Sequence, residues 1–197
     1  IRIPHSIVAW MDTEEFQRLH CIKQTGVAYK VFPTATTSRF AHSVGVYFVT
    51  SRLLSHLRAR QPEIFDGVRE DWICLASILH DIGHGPFSHA FDKFVGSFCT
   101  SGAWHRHESR SCDIVAYMNS KYNLGLDAEG LAFVQSLIDP TGRECEATRN
   151  AWFRYIVNNP HTCVDTDKMD YLVRDNRQFG LFMTVDVERI LRDRKST

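Results

Sequence analysis

The feature that most constrains this chain is an apolar segment that ends in a histidine and an aspartate. Residues 72–79 read WICLASIL, which nearly excludes polar side chains and predicts a buried helix. HDIGHGPFSH follows at residues 80–89. A buried, unpaired carboxylate is costly, so the fold must compensate Asp81. A divalent cation can do so, because imidazole and carboxylate groups are both ligands for Zn, Fe, Mn or Mg.

The length and charge of the chain narrow the classes of protein to consider. We expect residues 1–197 to form a single domain. The abrupt start of the sequence leads us to expect a fragment of a longer catalytic core. Lys plus Arg (23) equals Asp plus Glu (23), so no net charge attracts nucleic acid or an anionic membrane. No apolar run approaches the length of a membrane span.

The cysteines indicate the compartment in which the protein works. The chain has six cysteines, with no CxxC pair and no tight spacing typical of a disulfide framework. We therefore expect free thiols in a reducing environment. This favours an intracellular protein of the cytoplasm or nucleus.

Helical periodicity dominates the rest of the sequence. His42, Val46, Val49, Leu53 and Leu57 recur at steps of four, three, four and four, which predicts a helix over 39–61 with His42 on its apolar face. Similar patterns predict helices over 107–119, 152–157, 165–180 and 186–192, another from about 127, and a short broken helix over 84–95. Residues 29–32 read as a brief extended piece. Strand patterns are nearly absent, so the predicted class is all-α.

Four residues form a candidate metal site. Taken alone, His42 is more typical of a satisfied core histidine, and a His-Asp pair such as His80-Asp81 is common. The joint pattern also includes Asp167 near the start of a later helix. Two imidazoles and two carboxylates suit a hard-to-borderline cation that keeps positions open for water or substrate.

The helix that carries Asp167 predicts a nucleotide site. Asp165 is the expected helix cap. Beyond it, Lys168, Tyr171 and Asp175 fall on one helical face. A lysine for phosphate and an aspartate for sugar hydroxyls would suit a nucleotide. The alternative is an ordinary solvated face.

Two further positions carry acid–base or anion-binding chemistry. His107 at a helix start, held by Glu108, could act as a general acid, and the alternative is a surface cap pair. Arg39 lies one turn before His42 and could reach an anionic group bound at the metal. The alternative is an ordinary surface arginine.

These motifs resemble a known family. His42, His80-Asp81 and Asp167 match the H…HD…D signature of the HD-domain metal-dependent phosphohydrolases. The wider context is closest to the SAM-and-HD-domain deoxynucleoside triphosphate triphosphohydrolases, without the SAM domain. The similarity runs from about residue 10 to 180. It rests on the segments DT (12–13), EFQRL (15–19), IKQ (22–24), VFP (31–33), RFAHS (39–43), HDIGHGPFSH (80–89) and VDTDKMDY (164–171).

The resemblance implies a helical HD fold that cleaves a deoxynucleoside triphosphate to deoxynucleoside and inorganic triphosphate. The implied metal ligands are His42, His80, Asp81 and Asp167. The implied phosphate contacts are Arg39, His84, His89 and Lys168. The implied sugar contacts are Gln24, Asp175 and Tyr171, the last of which would exclude a 2′-hydroxyl. The implied catalytic residues are His107 beside Glu108, with His89 as a rival general acid and His84 nearby.

The resemblance also leaves several questions open. The metal can be Fe, Mn, Zn, Mg or Ni. A homo-oligomer and a nucleotide activator are implied partners, although His20 stands where the family has an arginine in its activating site. Two other functions remain. One is an HD-type nucleotidase or phosphodiesterase that acts on another phosphate ester, and the other is a nucleotide-binding regulatory module with a structural metal.

Overall fold

The structure, a computed structural model, describes residues 1–99, 104–182 and 185–193. Its α-helices are α1 (His5–Met11), α2 (Glu14–Gln17), α3 (Arg39–Arg60), α4 (Glu70–Leu79), α5 (His89–Phe98), α6 (His107–Tyr122), α7 (Ala128–Ile138), α8 (Thr166–Phe179) and α9 (Val187–Asp193). Short 3₁₀ turns lie at Arg18–Cys21, Ala28–Lys30, Pro62–Phe65 and Glu146–Thr148. Across these described ranges the only β pairing is an isolated bridge between Lys23 and Ser38. The all-α prediction is confirmed.

The hydrophobic core is built around α3 and α4. Helix α4 packs against α3 on one side and α7 on the other, while α8 and α9 pack against α3 and α6 packs against α7. Leu53, Ile73, Ile78 and Leu137 are among the fully buried side chains of this core. Because α4 is enclosed by its neighbours, its sequence is apolar on nearly every face. Among the described helices, none combines the length and apolar character needed to cross a membrane.

Side-chain caps fix where several helices begin. The Ser38 hydroxyl accepts a hydrogen bond from the backbone N–H of Ala41 at the start of α3. The Asp165 carboxylate accepts one from the N–H of Lys168 (2.8 Å) at the start of α8, so the predicted cap is confirmed. These caps set the first turns of the two helices that carry His42 and Asp167.

Two arginines hold the segment that follows α4. Arg18 donates hydrogen bonds to the carbonyl oxygens of Ile82 (2.5 Å) and His84 (2.7 Å). Arg110 of α6 donates to the carbonyl of Gly83 (2.9 Å). A Cβ atom at Gly83 would lie 2.2 Å from the backbone oxygen of His107, so this position requires glycine for close approach to α6. The segment is therefore fixed between the 3₁₀ turn at Arg18–Cys21 and α6.

Three local predictions are wrong. The predicted helix over 152–157 is a series of turns, in which the N–H groups of Arg154 and Ile156 donate to carbonyl oxygens only three residues earlier, at Ala151 and Phe153. The extended piece predicted over 29–32 instead begins in the Ala28–Lys30 turn. The broken helix predicted from residue 84 begins only at His89, because Gly85-Pro86 and the positive φ angles of Phe87 (65°) and Ser88 (56°) are incompatible with a helix.

The enclosed position of α4 yields a stability prediction. We expect Ile78→Ala to lower the free energy of unfolding by about 2–5 kcal/mol, because Ile78 is fully buried and its truncation leaves a cavity. Ile190→Ala, at a position 39% exposed, is the matched control and should cost much less. Urea titration followed by circular dichroism measures both. Equal losses in the two variants would contradict the assignment of α4 to the core.

Candidate metal centre and active site

The four predicted metal ligands converge from three elements. His42 comes from α3, His80 and Asp81 follow α4, and Asp167 lies in the first turn of α8. The Nε2 atom of His42 is 2.9 Å from Asp167 Oδ1 and 3.3 Å from Asp81 Oδ2. The Nε2 atom of His80 is 3.5 Å and 3.4 Å from the same two oxygens. Residues up to 125 positions apart in the chain therefore meet at one point.

The arrangement of the imidazoles fits a metal ion. Within the described part of the chain, the buried Nε2 atoms of His42 and His80 have no hydrogen-bond partner. Their Nδ1 atoms are engaged elsewhere, with Asp170 and with the carbonyl oxygen of Ser77. Ligand atoms of His42, His80 and Asp167 all lie within 4.8 Å of one another. Buried nitrogens that lie close to carboxylates without a hydrogen bond are what a divalent cation would satisfy.

Charge at this site is balanced inside the protein. Burial by itself opposes ionisation of Asp81, but the Arg39 guanidinium and the surrounding imidazoles hold the pKa of this carboxyl well below its usual range. Burial likewise lowers the pKa of His42, yet the carboxylates around it raise that pKa well above its ordinary value. The groups therefore form a buried network of opposite charges.

Arg39 is a buried part of this network, and the surface alternative is wrong. Its side chain is 3% exposed. It donates hydrogen bonds to Asp81 (2.5 Å), to the Ser88 hydroxyl (3.0 Å) and to the carbonyl oxygen of Gln24 (3.2 Å). The guanidinium thus links the candidate metal ligands to the segment that precedes α3.

A second cluster of titratable groups lies beside the first. Ligand atoms of His84, His89, Asp92 and His107 lie within 4.8 Å of one another. His107 Nδ1 is 2.9 Å from Asp92 Oδ2 and forms a hydrogen bond with it, and Arg110 also bonds to Asp92. Although burial raises the pKa of Asp92, these partners hold it below its usual range. Asp92 is therefore ionised, and its carboxylate orients the His107 ring through their hydrogen bond.

The closest carboxylate to His107 is Asp92 and not the expected Glu108. Glu108 Oε2 lies 3.7 Å from His107 Nδ1 and equally far from Arg106 Nε, whereas Asp92 makes the close hydrogen bond. Sequence reasoning missed Asp92. Its signal was its position three residues after His89 on α5, which places both side chains on one helical face.

His84 and His89 occupy different environments. The His84 ring is fully buried, stacks on the ring of His107 (centroids 3.9 Å apart) and has Nε2 3.2 Å from Asp81 Oδ1. Burial lowers the pKa of His84 to about 3, so its imidazole is neutral at pH 7. The His89 side chain is 67% exposed and its Nδ1 lies 3.6 Å from Asp92. His84 thus joins the two clusters, and His89 faces their open side.

The predicted sugar-contacting residues present unsatisfied acceptors. Over the described ranges, Oε1 of Gln24 and Oδ1 of Asp175 are buried without a hydrogen-bond partner. Burial raises the pKa of Asp175. Lys168 and Tyr171 are half-buried on the same helix as Asp175. Such acceptors favour a ligand that donates hydrogen bonds, as a hydroxyl group does.

The sequence of this chain is similar to one protein family and to several known proteins. The family model "HD domain" matches residues 39–175. The chain is 36% identical over 193 residues to "Deoxynucleoside triphosphate triphosphohydrolase SAMHD1 homolog" of Dictyostelium discoideum, covering 97% of this chain and 37% of that protein. It is 35% identical over 214 residues to "Deoxynucleoside triphosphate triphosphohydrolase SAMHD1" of Gallus gallus (98% and 34%) and 34% identical over 208 residues to that of Homo sapiens (94% and 33%).

These matches confirm the resemblance that the motifs indicated. They cover nearly all of this chain, including every candidate ligand between residues 42 and 167. The chain spans only about a third of the length of these relatives (37%, 34% and 33%).

The Nε2 atoms of His42 and His80 yield a prediction about metal binding. Protein stripped with a chelator should bind a divalent ion again, and His80→Ala should lose most of that ion because one of two imidazoles is removed. His56→Ala is the control, since His56 lies on α3 and bonds to the carbonyl of Arg52. Elemental analysis measures the metal content. At a free metal concentration 100 times the dissociation constant, metal binding should add about 2.7 kcal/mol to the free energy of unfolding.

Retention of the full metal content by folded His80→Ala would contradict this assignment. Loss of the ion in His56→Ala as well would show that the effect is not local to the cluster. Circular dichroism of each metal-free variant establishes that the protein is folded before the metal is measured.

Proposed function

The chain belongs to the HD-domain family, and on that premise we propose that it is a metal-dependent phosphohydrolase acting on deoxynucleoside triphosphates. The products would be a deoxynucleoside and inorganic triphosphate. The observation that carries the proposal is the pair of buried Nε2 atoms on His42 and His80, which face two carboxylates and, among the described residues, have no hydrogen-bond partner. The similarity to proteins with triphosphohydrolase in their names supports this substrate class.

We propose His42, His80, Asp81 and Asp167 as the metal ligands. When bound, a divalent ion supplies Lewis-acid chemistry, polarising phosphate oxygens and lowering the pKa of water. Arg39 supports the site by holding Asp81 in place through a 2.5 Å ion pair. The ligand set accepts Fe, Mn, Zn, Mg or Ni, and we propose a divalent ion of this group.

Residues around the centre would hold the substrate. Lys168 would offset charge on the phosphate oxygens from α8, and His84, as a neutral imidazole, would donate a hydrogen bond to them. The buried acceptors on Gln24 and Asp175 would accept hydrogen bonds from the sugar 3′-hydroxyl. Tyr171 would pack against the sugar ring, where a 2′-hydroxyl would clash. The residues of this chain thus act mainly through position and charge.

Bond cleavage requires a proton for the leaving group. Water attacks the α-phosphorus and loses a proton to the solvent, the bond from phosphorus to the 5′-oxygen breaks, and that oxygen takes a proton from the protein. We propose that the donor is a ring of the cluster around Asp92, either His107 or His89. The Asp92 carboxylate orients both rings, since it lies 2.9 Å from His107 Nδ1 and 3.6 Å from His89 Nδ1. Glu108 would act only at longer range.

The assembly and location of the protein remain parts of the proposal. We propose a homo-oligomer on the basis of the family resemblance, and the exposed aromatic rings of Phe94 and Phe98 offer apolar surface for an interface. A nucleotide activator is a further proposed partner. The cysteine spacing supports an intracellular site of action, in the cytoplasm or nucleus.

The reaction itself can be tested by its products. The purified protein, with Mn²⁺ or Fe²⁺, should convert a deoxynucleoside triphosphate to deoxynucleoside and triphosphate in equal amounts, which anion-exchange chromatography resolves. Ribonucleoside triphosphates, monophosphates and cyclic nucleotides are the comparison substrates. Release of orthophosphate or pyrophosphate without triphosphate would favour another phosphohydrolase. Metal binding without turnover of any of these substrates would favour a regulatory module.

The role of Tyr171 can be tested through sugar selectivity. We expect Tyr171→Ala to reduce the preference for deoxyribonucleotides over ribonucleotides by about tenfold or more, because it removes the ring that excludes the 2′-hydroxyl. Tyr117→Ala, at an exposed position on α6, is the control. Ratios of kcat/KM for dGTP and GTP report the change. Unchanged selectivity in Tyr171→Ala would contradict this role.

A further inference from the structure

Asp170 lies on the opposite side of the His42 ring from the candidate metal ligands. His42 Nδ1 and Asp170 Oδ2 are 2.8 Å apart in a hydrogen bond, with side chains 0% and 8% exposed. The other nitrogen of the ring, Nε2, faces Asp167 and Asp81. The imidazole is thus held between one carboxylate at Nδ1, that of Asp170, and two at Nε2.

Arg174 fixes the orientation of Asp170. It lies one turn further along α8 and donates two hydrogen bonds, from Nε to Oδ2 (2.7 Å) and from Nη2 to Oδ1 (2.8 Å). A two-point contact of this kind sets the plane of a carboxylate as well as its position. Asp170 therefore presents Oδ2 to His42 in a fixed direction.

Gly45 provides the space for this pair. It is buried in α3, one turn after His42. A Cβ atom there would lie 2.0 Å from Asp170 Oδ1 and 2.3 Å from Arg174 Nη2. Any larger residue would push the pair away from α3. The two helices thus approach closely at the level of the candidate metal centre.

The two imidazole ligands are held in different ways. His80 Nδ1 lies 2.8 Å from the carbonyl oxygen of Ser77, one turn earlier in the same polypeptide segment. The orientation of His80 is therefore set by local backbone. His42 instead depends on a charged side chain from a different helix, 128 residues later in the chain.

We propose that Asp170 and Arg174 are positioning residues for the metal ligand His42. A carboxylate that accepts the Nδ1 proton keeps the lone pair of Nε2 directed to the centre and makes that nitrogen a stronger ligand. Arg174 holds the Asp170 carboxylate in its orientation, and Gly45 leaves space for the Asp170 and Arg174 side chains. This inference rests on the proposed metal site and adds the groups that orient it.

The test compares metal affinity in isosteric variants. Chelator-stripped protein is titrated with Mn²⁺ against a competing chelator dye at a fixed pH. Asp170→Asn should raise the dissociation constant about 10–100-fold, as expected when the outer partner of a ligating histidine is changed. Arg174→Gln should raise it by a smaller factor, because Asp170 remains present but less well held. The double variant should be no weaker than Asp170→Asn, because the arginine acts through the aspartate.

Matched controls separate this role from a general loss of charge or stability. Arg177→Gln removes an exposed guanidinium from the same helix, and Asp113→Asn breaks a surface ion pair with Arg143. Both controls should bind Mn²⁺ as the parent protein does. Circular dichroism and urea titration of the metal-free forms establish that each variant is folded.

A spectroscopic measurement reports the orientation directly. In Zn²⁺-loaded protein labelled with ¹⁵N-histidine, His42 should show a protonated Nδ1 and a metal-bound Nε2. The Nδ1 proton resonance should move upfield in Asp170→Asn, where an amide replaces the carboxylate acceptor. An unchanged resonance in a folded variant would contradict the hydrogen bond on which the positioning role depends.

The outcomes distinguish this inference from the proposed function. If the parent protein binds Mn²⁺ and Asp170→Asn binds it within twofold, the positioning role is wrong and the metal site stands. If the parent protein binds no divalent ion, the proposed metal site fails and the positioning role fails with it. Weaker binding confined to Asp170→Asn, Arg174→Gln and their double variant supports the inference.

Discussion

The structure depends on one buried aspartate, Asp81. The Asp81 carboxylate is almost completely buried, between the guanidinium of Arg39 and the imidazoles of His42, His80 and His84. Burying an ionised group without compensation would cost several kcal/mol or more. Each of these neighbours therefore offsets part of the free-energy cost of burying the ionised carboxylate of Asp81. In the same arrangement, the Nε2 atoms of His42 and His80 are buried without a hydrogen bond.

The helices around α4 keep this site rigid. Helix α4 is enclosed by α3 and α7, and the segment after it is held by hydrogen bonds from Arg18 and Arg110 to its carbonyl oxygens. Arg110 also donates a hydrogen bond to Asp92. The same arginine therefore holds both the backbone after α4 and the carboxylate that contacts His107. Preorganised charges of this kind suit the hydrolysis of phosphate esters, because proteins catalyse that reaction mainly by positioning and electrostatic stabilisation.

Local sequence patterns predicted the parts of the site whose positions follow from helix geometry. The four-three-four-four spacing placed His42 on the buried face of α3, and the Asp165 cap fixed the first turn of α8 that carries Asp167. The family resemblance added Gln24 and Asp175, whose buried acceptors the structure leaves available for a ligand. The turns over 152–157 were mistaken for a helix, because their buried residues Phe153, Ile156 and Val157 follow the i, i+3, i+4 spacing of a helical face.

By itself, the sequence determined the fold class, the main helices and the residue types of the centre, since periodicity and capping act over a few residues. Only the tertiary structure decided which groups are partners: Asp92 for His107 in place of the adjacent Glu108, and Asp170 behind His42. Such pairings depend on the distance and direction between helices that are far apart in the chain. That geometry arises from packing α8 and α6 onto the core, and no local pattern of residues encodes it.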